Sequence, residues 1–256
     1  MASIDLNCDM GEIPEAIADG TQEALMRSIT SANIACGGHA GDEHTMRTTI
    51  EQALKHRVAI GAHPGYADKE NFGRLELKIP PAAIADSIYE QVRALAKVAA
   101  QCGATVIHVK PHGALYNQAV KNRELAQAIA QGVARWSMQV VLVGLAGSLM
   151  LDVFREAGFP VAAEAFADRL YEPDGTLHSR KFDDALIRDP AKAARQALHI
   201  AQRGAVIARD GSEVALAART ICIHGDTPGS TQIAAEVART LRSAGIQLTG
   251  LSSPAS

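Results

Sequence analysis

The feature that most constrains the fold of this 256-residue chain is an alternation of short apolar segments with longer amphipathic ones. Seven apolar or β-branched segments of strand length lie at residues 3–8, 31–36, 58–63, 105–110, 139–144, 161–167 and 220–224. Segments in which apolar residues recur with a helical period lie between them, at residues 42–56, 80–101, 123–135, 148–157, 190–203 and 230–244. This order predicts an α/β fold with a mostly parallel sheet and crossover helices.

Two architectures fit such a sheet, a closed or nearly closed barrel and an open doubly wound sheet. The chain has neither the GxGxxG motif that marks many open dinucleotide-binding sheets nor a GxxxxGK[ST] phosphate loop. Residues 205–217 alternate around Arg209-Asp210-Gly211, which predicts a small hairpin. Because no linker divides the chain, we expect one domain over residues 1–256 with this hairpin as an insertion.

Composition excludes several classes of protein. Hydrophobic residues make up 47% of the chain and charged residues 21%, which is typical of a globular fold. The formal net charge of −3 and the lack of a Lys/Arg cluster argue against nucleic acid or an anionic membrane as a partner. No apolar run approaches the roughly 20 residues that span a bilayer, and residues 1–9 lack a signal-peptide pattern. The four cysteines form no CxxC pair, so we expect reduced thiols and a cytoplasmic protein.

Titratable side chains collect directly after the predicted strands. The segments concerned are mostly rich in glycine and carry an acid, an imidazole or an amine, at residues 7–12, 36–42, 63–66, 108–113, 164–169 and 224–229. The turns at the other strand ends lack this chemistry. Because the C-terminal ends of barrel strands converge on one mouth, the asymmetry predicts an active site there for a small-molecule substrate.

The first predicted strand carries three polar residues, Asp5, Asn7 and Asp9, on one face, because strand side chains alternate. Inward polar groups are costly unless they are paired or functional. His39 and His63 each follow a strand and fit a metal ligand, a general base or a core histidine. With Asp9 they would form an Asp-His-His set for a divalent ion such as Mg²⁺ or Mn²⁺.

Lys110 and His112 share one face at the end of the fourth predicted strand. A lysine that points into a barrel mouth binds a carboxylate or phosphate, or acts as an acid when it is desolvated. His108 lies on the same side but deeper, which favours core packing. Asp42 opens a predicted helix, where capping or a functional role explains it.

Six blocks of the chain resemble those of the LamB/YcsF family: DLNCDMGE (5–12), SANIACGGHAGD (31–42), GAHPGY (61–66), HVKPHGALYN (108–117), FADR (166–169) and HGDTPG (224–229). The resemblance implies a TIM-like (βα) barrel related to glycoside hydrolases and sugar deacetylases. It also implies an activity, the ATP-driven opening of 5-oxo-L-proline to L-glutamate by a 5-oxoprolinase. In that enzyme this chain would be the A subunit, ATP the nucleotide, and subunits B and C the partners.

The resemblance further implies two sets of site residues at the matching positions. The catalytic set is Asp9, Glu12, His63, Lys110, His112 and Asp168. The substrate-binding set is Asn7, His39, Asp42, Arg169, His224 and Asp226. We expect Lys110 or Arg169 to bind the substrate carboxylate and Asp9 or His63 to activate water. Backbone N–H groups of residues 37–41 are expected to hold a phosphate or an oxyanion.

The chain departs from the family pattern at three places. Gly38 stands where the family has a bulky aromatic residue before His39, which predicts a looser loop or a larger pocket. Residues 13–20 lack the usual aromatic-containing loop, and residues 178–186 differ from the Pro-rich version of the family. These departures bear on substrate specificity and leave the fold expectation unchanged.

Two other functions remain open at this stage. One is a metal-dependent carbohydrate deacetylase or amidohydrolase in which Asp9, His39 and His63 hold the ion. The other is a non-catalytic subunit that binds a small carboxylate for a partner. The number of titratable groups at the predicted mouth favours an enzyme over such a binding subunit.

Overall fold

Seven parallel strands close into a barrel because the first strand pairs with both the second and the seventh. The computed structural model describes residues 2–252. The barrel strands are β1 (Ser3–Met10), β2 (Ser31–Ala35), β3 (Ala59–His63), β4 (His108–Val109), β5 (Val141–Leu145), β6 (Val161–Phe166) and β7 (Thr220–Cys222). At the closure, Thr220 lies opposite Asp5 of β1 and Glu164 of β6. The prediction of a (βα) barrel with about seven parallel strands is confirmed.

Helices connect the strands and cover the outside of the barrel. They are α1 (Pro14–Ala18), α2 (Thr21–Met26), α3 (Glu43–His56), α4 (Pro81–Gln101), α5 (Gly113–Ala119), α6 (Arg123–Ala134), α7 (Leu149–Glu156), α8 (Pro190–Arg203) and α9 (Ser230–Ser243). Pro81 and Pro190 occupy first helical positions, where a missing N–H costs nothing. Gly204 ends α8 in the left-handed conformation, at φ 61°.

The sequence pattern does not indicate four of the short elements. They are α1, α2, α5 and the strand Gln247–Leu248, which pairs with the start of β1. None exceeds seven residues, which is too short to display a helical period. β4 is shorter than the predicted 105–110, although the N–H groups of Ile107 and Lys110 still donate to carbonyls of β3.

The predicted hairpin is present as the antiparallel strands Ala205–Ile207 and Glu213–Ala215. A single domain over residues 1–256 stays a prediction, and residues 1 and 253–256 lie outside the described range. Within residues 2–252, every helix is too short or too polar to cross a membrane.

The lower interior of the barrel is polar, and hydrogen bonds join Asp5 and Asn7 of β1 to neighbouring side chains. The Asp5 carboxylate accepts hydrogen bonds from the hydroxyls of Thr30, Ser31 and Thr220, at 2.6, 2.7 and 2.5 Å. Burial nevertheless raises the pKa of Asp5 above its ordinary value. The Asn7 amide donates to the Thr220 hydroxyl at 2.7 Å. The alternation along β1 therefore turns its polar face inward, as predicted.

Above this layer lies a buried ion pair. The Lys110 side chain is 3% exposed, and its Nζ lies 2.8 Å from Oε1 of Glu164, which is fully buried. The Asn7 amide donates to the same carboxylate oxygen at 3.0 Å. A buried charge is tolerated when partners of this kind surround it, so the pair holds β4 and β6 in one arrangement.

We expect Glu164→Ala to lower the free energy of unfolding by about 3–5 kcal/mol, because it removes one partner of a buried ion pair. Glu164→Gln keeps an oxygen acceptor and is expected to lose less. Urea unfolding followed by circular dichroism measures both. Glu156→Ala, at an exposed ion pair with Arg123, is the control and should stay within about 0.5 kcal/mol of the wild type. Equal stability of Glu164→Ala and Glu156→Ala would contradict the assigned role.

Candidate active site

A cavity of about 790 Å³ opens at the C-terminal ends of the barrel strands. The predicted site residues that line it are Asp9, Glu12, His63, Lys110, His112, Arg169, His224 and Asp226. The predicted site residues outside its wall are Asn7, His39, Asp42 and Asp168. The strand-end groups therefore converge on one mouth, and their individual roles stay predictions.

An ion pair between Asp9 and Lys110 forms the floor of the cavity. Lys110 Nζ lies 3.0 Å from Asp9 Oδ1, which also accepts from the Asn33 amide at 2.8 Å. Burial lowers the pKa of Lys110, but the charges of Asp9 and Glu164 outweigh it and raise the value well above the ordinary one. Burial likewise raises the pKa of Asp9, but His63 and Lys110 bring it well below its usual range. Both groups are therefore charged at neutral pH.

Beside this pair, three imidazoles surround the Glu12 carboxylate. Glu12 Oε1 lies 2.8 Å from His39 Nε2, 3.1 Å from His112 Nδ1 and 3.7 Å from His63 Nε2. His63 Nε2 also lies 2.9 Å from His112 Nδ1 and 3.3 Å from Asp9 Oδ2. We call Glu12, His39, His63 and His112 the histidine cluster. Burial lowers the pKa of His39 to about 4, which keeps its ring neutral.

Backbone carbonyls and a glycine fix the rings of the histidine cluster. His63 Nδ1 lies 2.8 Å from the Lys110 carbonyl, and His112 Nε2 lies 2.9 Å from the Phe72 carbonyl. Gly73 has φ 62°, and a Cβ there would lie 2.8 Å from Cβ of His39. Only glycine allows the chain to pass this close to the rings.

Arg169 is a buried cation in the cavity wall. It is 5% exposed, and its Nη2 donates to the His178 carbonyl at 2.6 Å. Its Nε has no hydrogen-bond partner, and no carboxylate within residues 2–252 forms an ion pair with its guanidinium. Burial and the charge of Arg180 lower its pKa to about 10, so it remains protonated at neutral pH.

Asp168 lies behind the cavity and acts on His224. Its carboxylate accepts from the His224 backbone N–H at 2.9 Å and lies 2.9 Å from Nδ1 of the same residue. Burial raises the pKa of Asp168, but the interactions with His224 lower it below the ordinary value. The His224 ring also stacks on Phe166 at 5.4 Å. Asp168 is thus placed to orient His224 and does not reach the cavity itself.

Asp42 is a helix cap in the structure. Its carboxylate accepts from the Thr45 N–H and its own N–H donates to the Thr45 hydroxyl, each at 2.8 Å. This reciprocal capping box begins α3. Residues 37–41 also lie outside the cavity wall, and the Gly37 N–H donates to the Ala40 carbonyl at 2.8 Å. Their predicted contact with a phosphate or oxyanion therefore has no place in this cavity.

The space beside Gly38 is filled by Gln91 of α4. A Cβ on Gly38 would overlap the Gln91 amide, which accepts from the Gly65 N–H at 3.1 Å and donates to the Gly65 carbonyl at 2.8 Å. Gly38 is buried and does not line the cavity. The expectation of a looser loop or a larger pocket at this position is therefore wrong, because a side chain from another element replaces the missing aromatic ring.

The sequence pattern does not indicate two arginines that line the cavity, Arg74 and Arg180. Arg74 Nη2 lies 2.5 Å from Asp226 Oδ2, and Arg180 Nη1 lies 3.1 Å from the same atom. Both arginines belong to loops without a helical or strand period, so no pattern indicated them. Glu164 did carry a signal, since it is an acid within the otherwise apolar segment of β6.

The structure regroups the predicted metal ligands. His63 lies beside Asp9, but the donor atoms of His39 and His63 gather with those of Glu12 and His112, all within 4.8 Å of one another. A second such group consists of Asp9, Cys222 and His224.

The sequence pattern of the LamB/YcsF family matches residues 4–256. A relative from Chloroflexus aggregans, named as the A subunit of 5-oxoprolinase, is 50% identical over 246 residues, which cover 96% of this chain and 98% of the relative. The crystal structure of a lactam utilization protein from Thermus thermophilus superposes with a TM-score of 0.90 at 39% identity. That match covers 97% of this chain and 99% of the other.

A more distant likeness concerns the fold alone. A family 4 carbohydrate esterase from Streptomyces lividans has a TM-score of 0.51 at 11% identity, over 96% of this chain and 91% of the esterase. This likeness agrees with the (βα)-barrel fold and says nothing of activity. Because the family pattern and the relative at 50% identity both span nearly the whole chain, the chain belongs to the LamB/YcsF family.

Proposed function

We propose that this chain is the A subunit of an ATP-hydrolysing 5-oxoprolinase, which opens 5-oxo-L-proline to L-glutamate together with subunits B and C. The observation that carries the proposal is the buried cation Arg169 in a cavity that also holds the acid Asp9. No carboxylate of the described range 2–252 forms an ion pair with this guanidinium. The names of the Chloroflexus and Thermus proteins, one a 5-oxoprolinase A subunit and the other a lactam utilization protein, support it.

The chemistry explains why ATP is needed. The lactam of 5-oxoproline is a resonance-stabilised amide in a five-membered ring that closes readily, so its hydrolysis has to be driven. Transfer of the γ-phosphoryl group of ATP to the lactam oxygen makes C5 electrophilic and releases ADP. Water then adds to C5, and cleavage of the C5–N bond gives γ-glutamyl phosphate while the nitrogen takes a proton. A second water releases phosphate and leaves glutamate.

We assign the substrate carboxylate to Arg169 and not to Lys110. The Lys110 ammonium already has two carboxylate partners, Asp9 at 3.0 Å and Glu164 at 2.8 Å. Arg169 lines the cavity and forms no ion pair with a carboxylate of residues 2–252, and a guanidinium matches the geometry of a carboxylate. Residues 174–181 adjoin this position and supply Thr176, Leu177 and Ser179 to the cavity wall.

We assign the proton of the first attacking water to Asp9. Its Oδ1 is held by Lys110 and Asn33, which fixes the carboxylate, while the side chain keeps 11% of its surface exposed at the cavity. Phosphorylation makes C5 strongly electrophilic, so a weakly basic carboxylate is sufficient to accept this proton. Lys110 stabilises the ionised form of Asp9 between turnovers.

The nucleotide has no assigned contacts in this chain. The sequence contains no GxxxxGK[ST] phosphate loop. We therefore assign ATP to the complex as a whole, with this chain supplying the lactam cavity.

Co-expression of the full chain with subunits B and C tests the proposed function. We expect glutamate release that depends on both ATP and 5-oxoproline and that stops when this chain is omitted. The chain alone is assayed in parallel on acetylated sugars. Deacetylation by the isolated chain, or a complete complex that releases no glutamate, would contradict the proposal.

Arg169→Met should raise KM for 5-oxoproline in the complex by roughly 10- to 100-fold, because a charge-assisted hydrogen bond contributes about 1.5–3 kcal/mol. The effect on kcat should be smaller, since the carboxylate does not change during the reaction. Steady-state kinetics separates the two constants. Arg188→Met, at an exposed position outside the cavity wall, should leave both unchanged. An unaltered KM in Arg169→Met would remove Arg169 as the anchor.

Asp9→Asn should lower kcat for glutamate release by about 10²- to 10⁴-fold, the usual contribution of a general base. The amide keeps the size of the side chain but cannot accept the proton. Asp152→Asn, at an exposed position on α7, is the matched control. Near-wild-type turnover in Asp9→Asn would exclude Asp9 as the base.

A further inference from the structure

The histidine cluster collects acid and imidazole groups without a cationic side chain. The three short contacts of Glu12 Oε1 are all with imidazole nitrogens, at 2.8, 3.1 and 3.7 Å. No lysine or arginine of residues 2–252 forms an ion pair with this carboxylate. Glu12 is nearly buried, with 7% of its side chain exposed. Within the described residues, the partners that stabilise this buried negative charge are therefore imidazoles alone.

The second group of donor atoms, formed by Asp9, Cys222 and His224, differs in this respect. Lys110 Nζ lies 3.0 Å from Asp9 Oδ1 and 3.2 Å from Cys222 Sγ. This ammonium already supplies the positive charge there. Of these two groups, the histidine cluster is the one whose donor atoms contact no lysine ammonium among the described residues, so it is the better candidate for an added cation.

Hydrogen bonds to the backbone determine which ring nitrogens of the cluster carry lone pairs. His63 Nδ1 must donate to the Lys110 carbonyl, and His112 Nε2 must donate to the Phe72 carbonyl. His63 Nε2 and His112 Nδ1 are therefore the ring nitrogens left to take up a proton or a metal ion. These two atoms are 2.9 Å apart, and each faces Glu12 Oε1. A proton on one of the two nitrogens or a metal ion among the three atoms satisfies this contact, and a metal ion would also neutralise the Glu12 carboxylate.

We propose that Glu12, His63 and His112 bind a divalent transition-metal ion of the zinc class. The three donor atoms are separated by 2.9, 3.1 and 3.7 Å. Two ligands that each lie about 2.0 Å from a tetrahedral zinc ion are about 3.3 Å apart, so the triangle has the required size. All three residues line the cavity. Three protein ligands with a side open to the cavity is the arrangement of catalytic zinc sites.

His39 is a positioning residue for this site and not a ligand. Its ring stacks on that of His112 with a centroid distance of 3.6 Å and an interplanar angle of 2°. An ion in the plane of His112 would lie far out of the plane of His39, whereas the His63 and His112 planes meet at 88°. His39 Nε2 instead donates to Glu12 Oε1 at 2.8 Å, and it lies outside the cavity wall.

The surroundings of the ligands match those of known metal sites. Ligating histidines usually donate their other N–H to a backbone carbonyl, as both His63 and His112 do. Two imidazole nitrogens and one carboxylate favour zinc over magnesium, which prefers oxygen ligands. Both the residues and the ion therefore differ from the Asp9-His39-His63 set for Mg²⁺ or Mn²⁺ expected from the sequence. A bound ion would supply a Lewis acid at the cavity.

Zinc binding to the isolated full chain tests this inference independently of the proposed lactam opening. The chain is produced without a polyhistidine tag, stripped with a chelator and titrated with zinc chloride. We expect about one zinc ion per chain by elemental analysis, together with a rise in melting temperature. Cobalt(II) in place of zinc should give the visible absorption bands of a site with imidazole ligands.

Three variants of the cluster and one control locate the ion. His63→Gln and Glu12→Gln should lose the stoichiometric zinc and the cobalt spectrum. His39→Gln should keep the spectrum but bind zinc about 10- to 100-fold more weakly, as expected of a residue that orients a ligand. His56→Gln is the matched control, since the half-buried His56 lies 3.0 Å from Glu23, an imidazole beside a carboxylate outside the cluster.

The results distinguish failure of the metal site from failure of the proposed function. Absence of zinc and cobalt binding by the wild-type chain would overturn the inference, as would unchanged binding in Glu12→Gln. If His63→Gln fails to fold, the cobalt spectrum of the wild type and its loss in Glu12→Gln still show whether the cluster binds the ion. Zinc binding without 5-oxoprolinase activity in the complex would support the metal site and reject the proposed function, so the two proposals fail separately.

Discussion

The barrel is organised around the buried ammonium group of Lys110. Its contacts of 2.8 Å to Glu164 and 3.0 Å to Asp9 join residues at the ends of β4, β6 and β1, which lie on different sides of the barrel. Burying a charge without partners costs several kcal/mol, so the interior has to provide them. Below this pair, Thr220 accepts a hydrogen bond from Asn7 and donates one to Asp5, so these buried polar groups also have partners. One result is functional, because the Asp9 carboxylate is fixed where the cavity begins.

The sequence predicted the barrel and the position of its mouth for reasons of topology. Helices cover the outside of parallel strands, so strands such as Val141–Leu145 are apolar throughout and easy to recognise. All strand ends of one polarity meet at one mouth, which is why Asp9, His63 and Lys110 could be placed together. The partner of Lys110 could not be predicted, because alternation gives the face of a residue but not which strand lies opposite it.

The same distinction explains the loop before α3. Asp42 and Thr45 are three residues apart, so their capping box is a local interaction that the sequence alone indicates. Gly38 and Gln91 are brought together only by the packing of α4 on this loop. The effect of Gly38 on the pocket therefore does not follow from the loop sequence alone. Gln91, which is distant in sequence, fills the space that an aromatic side chain would otherwise occupy. Regrouping of the histidines around Glu12 has the same origin.

The distribution of charge in the cavity limits which ligands it can accept. Lys110 is balanced by two carboxylates, whereas no carboxylate in the described part of the chain forms an ion pair with Arg169. At the rim, Arg74 and Arg180 share the single carboxylate of Asp226, so these three side chains together carry one positive charge in excess. In the proposed reaction the substrate arrives with one carboxylate and gains a phosphate when its lactam oxygen is phosphorylated. The unpaired Arg169 suits the first anionic group, and the excess positive charge at the rim lowers the electrostatic cost of the second.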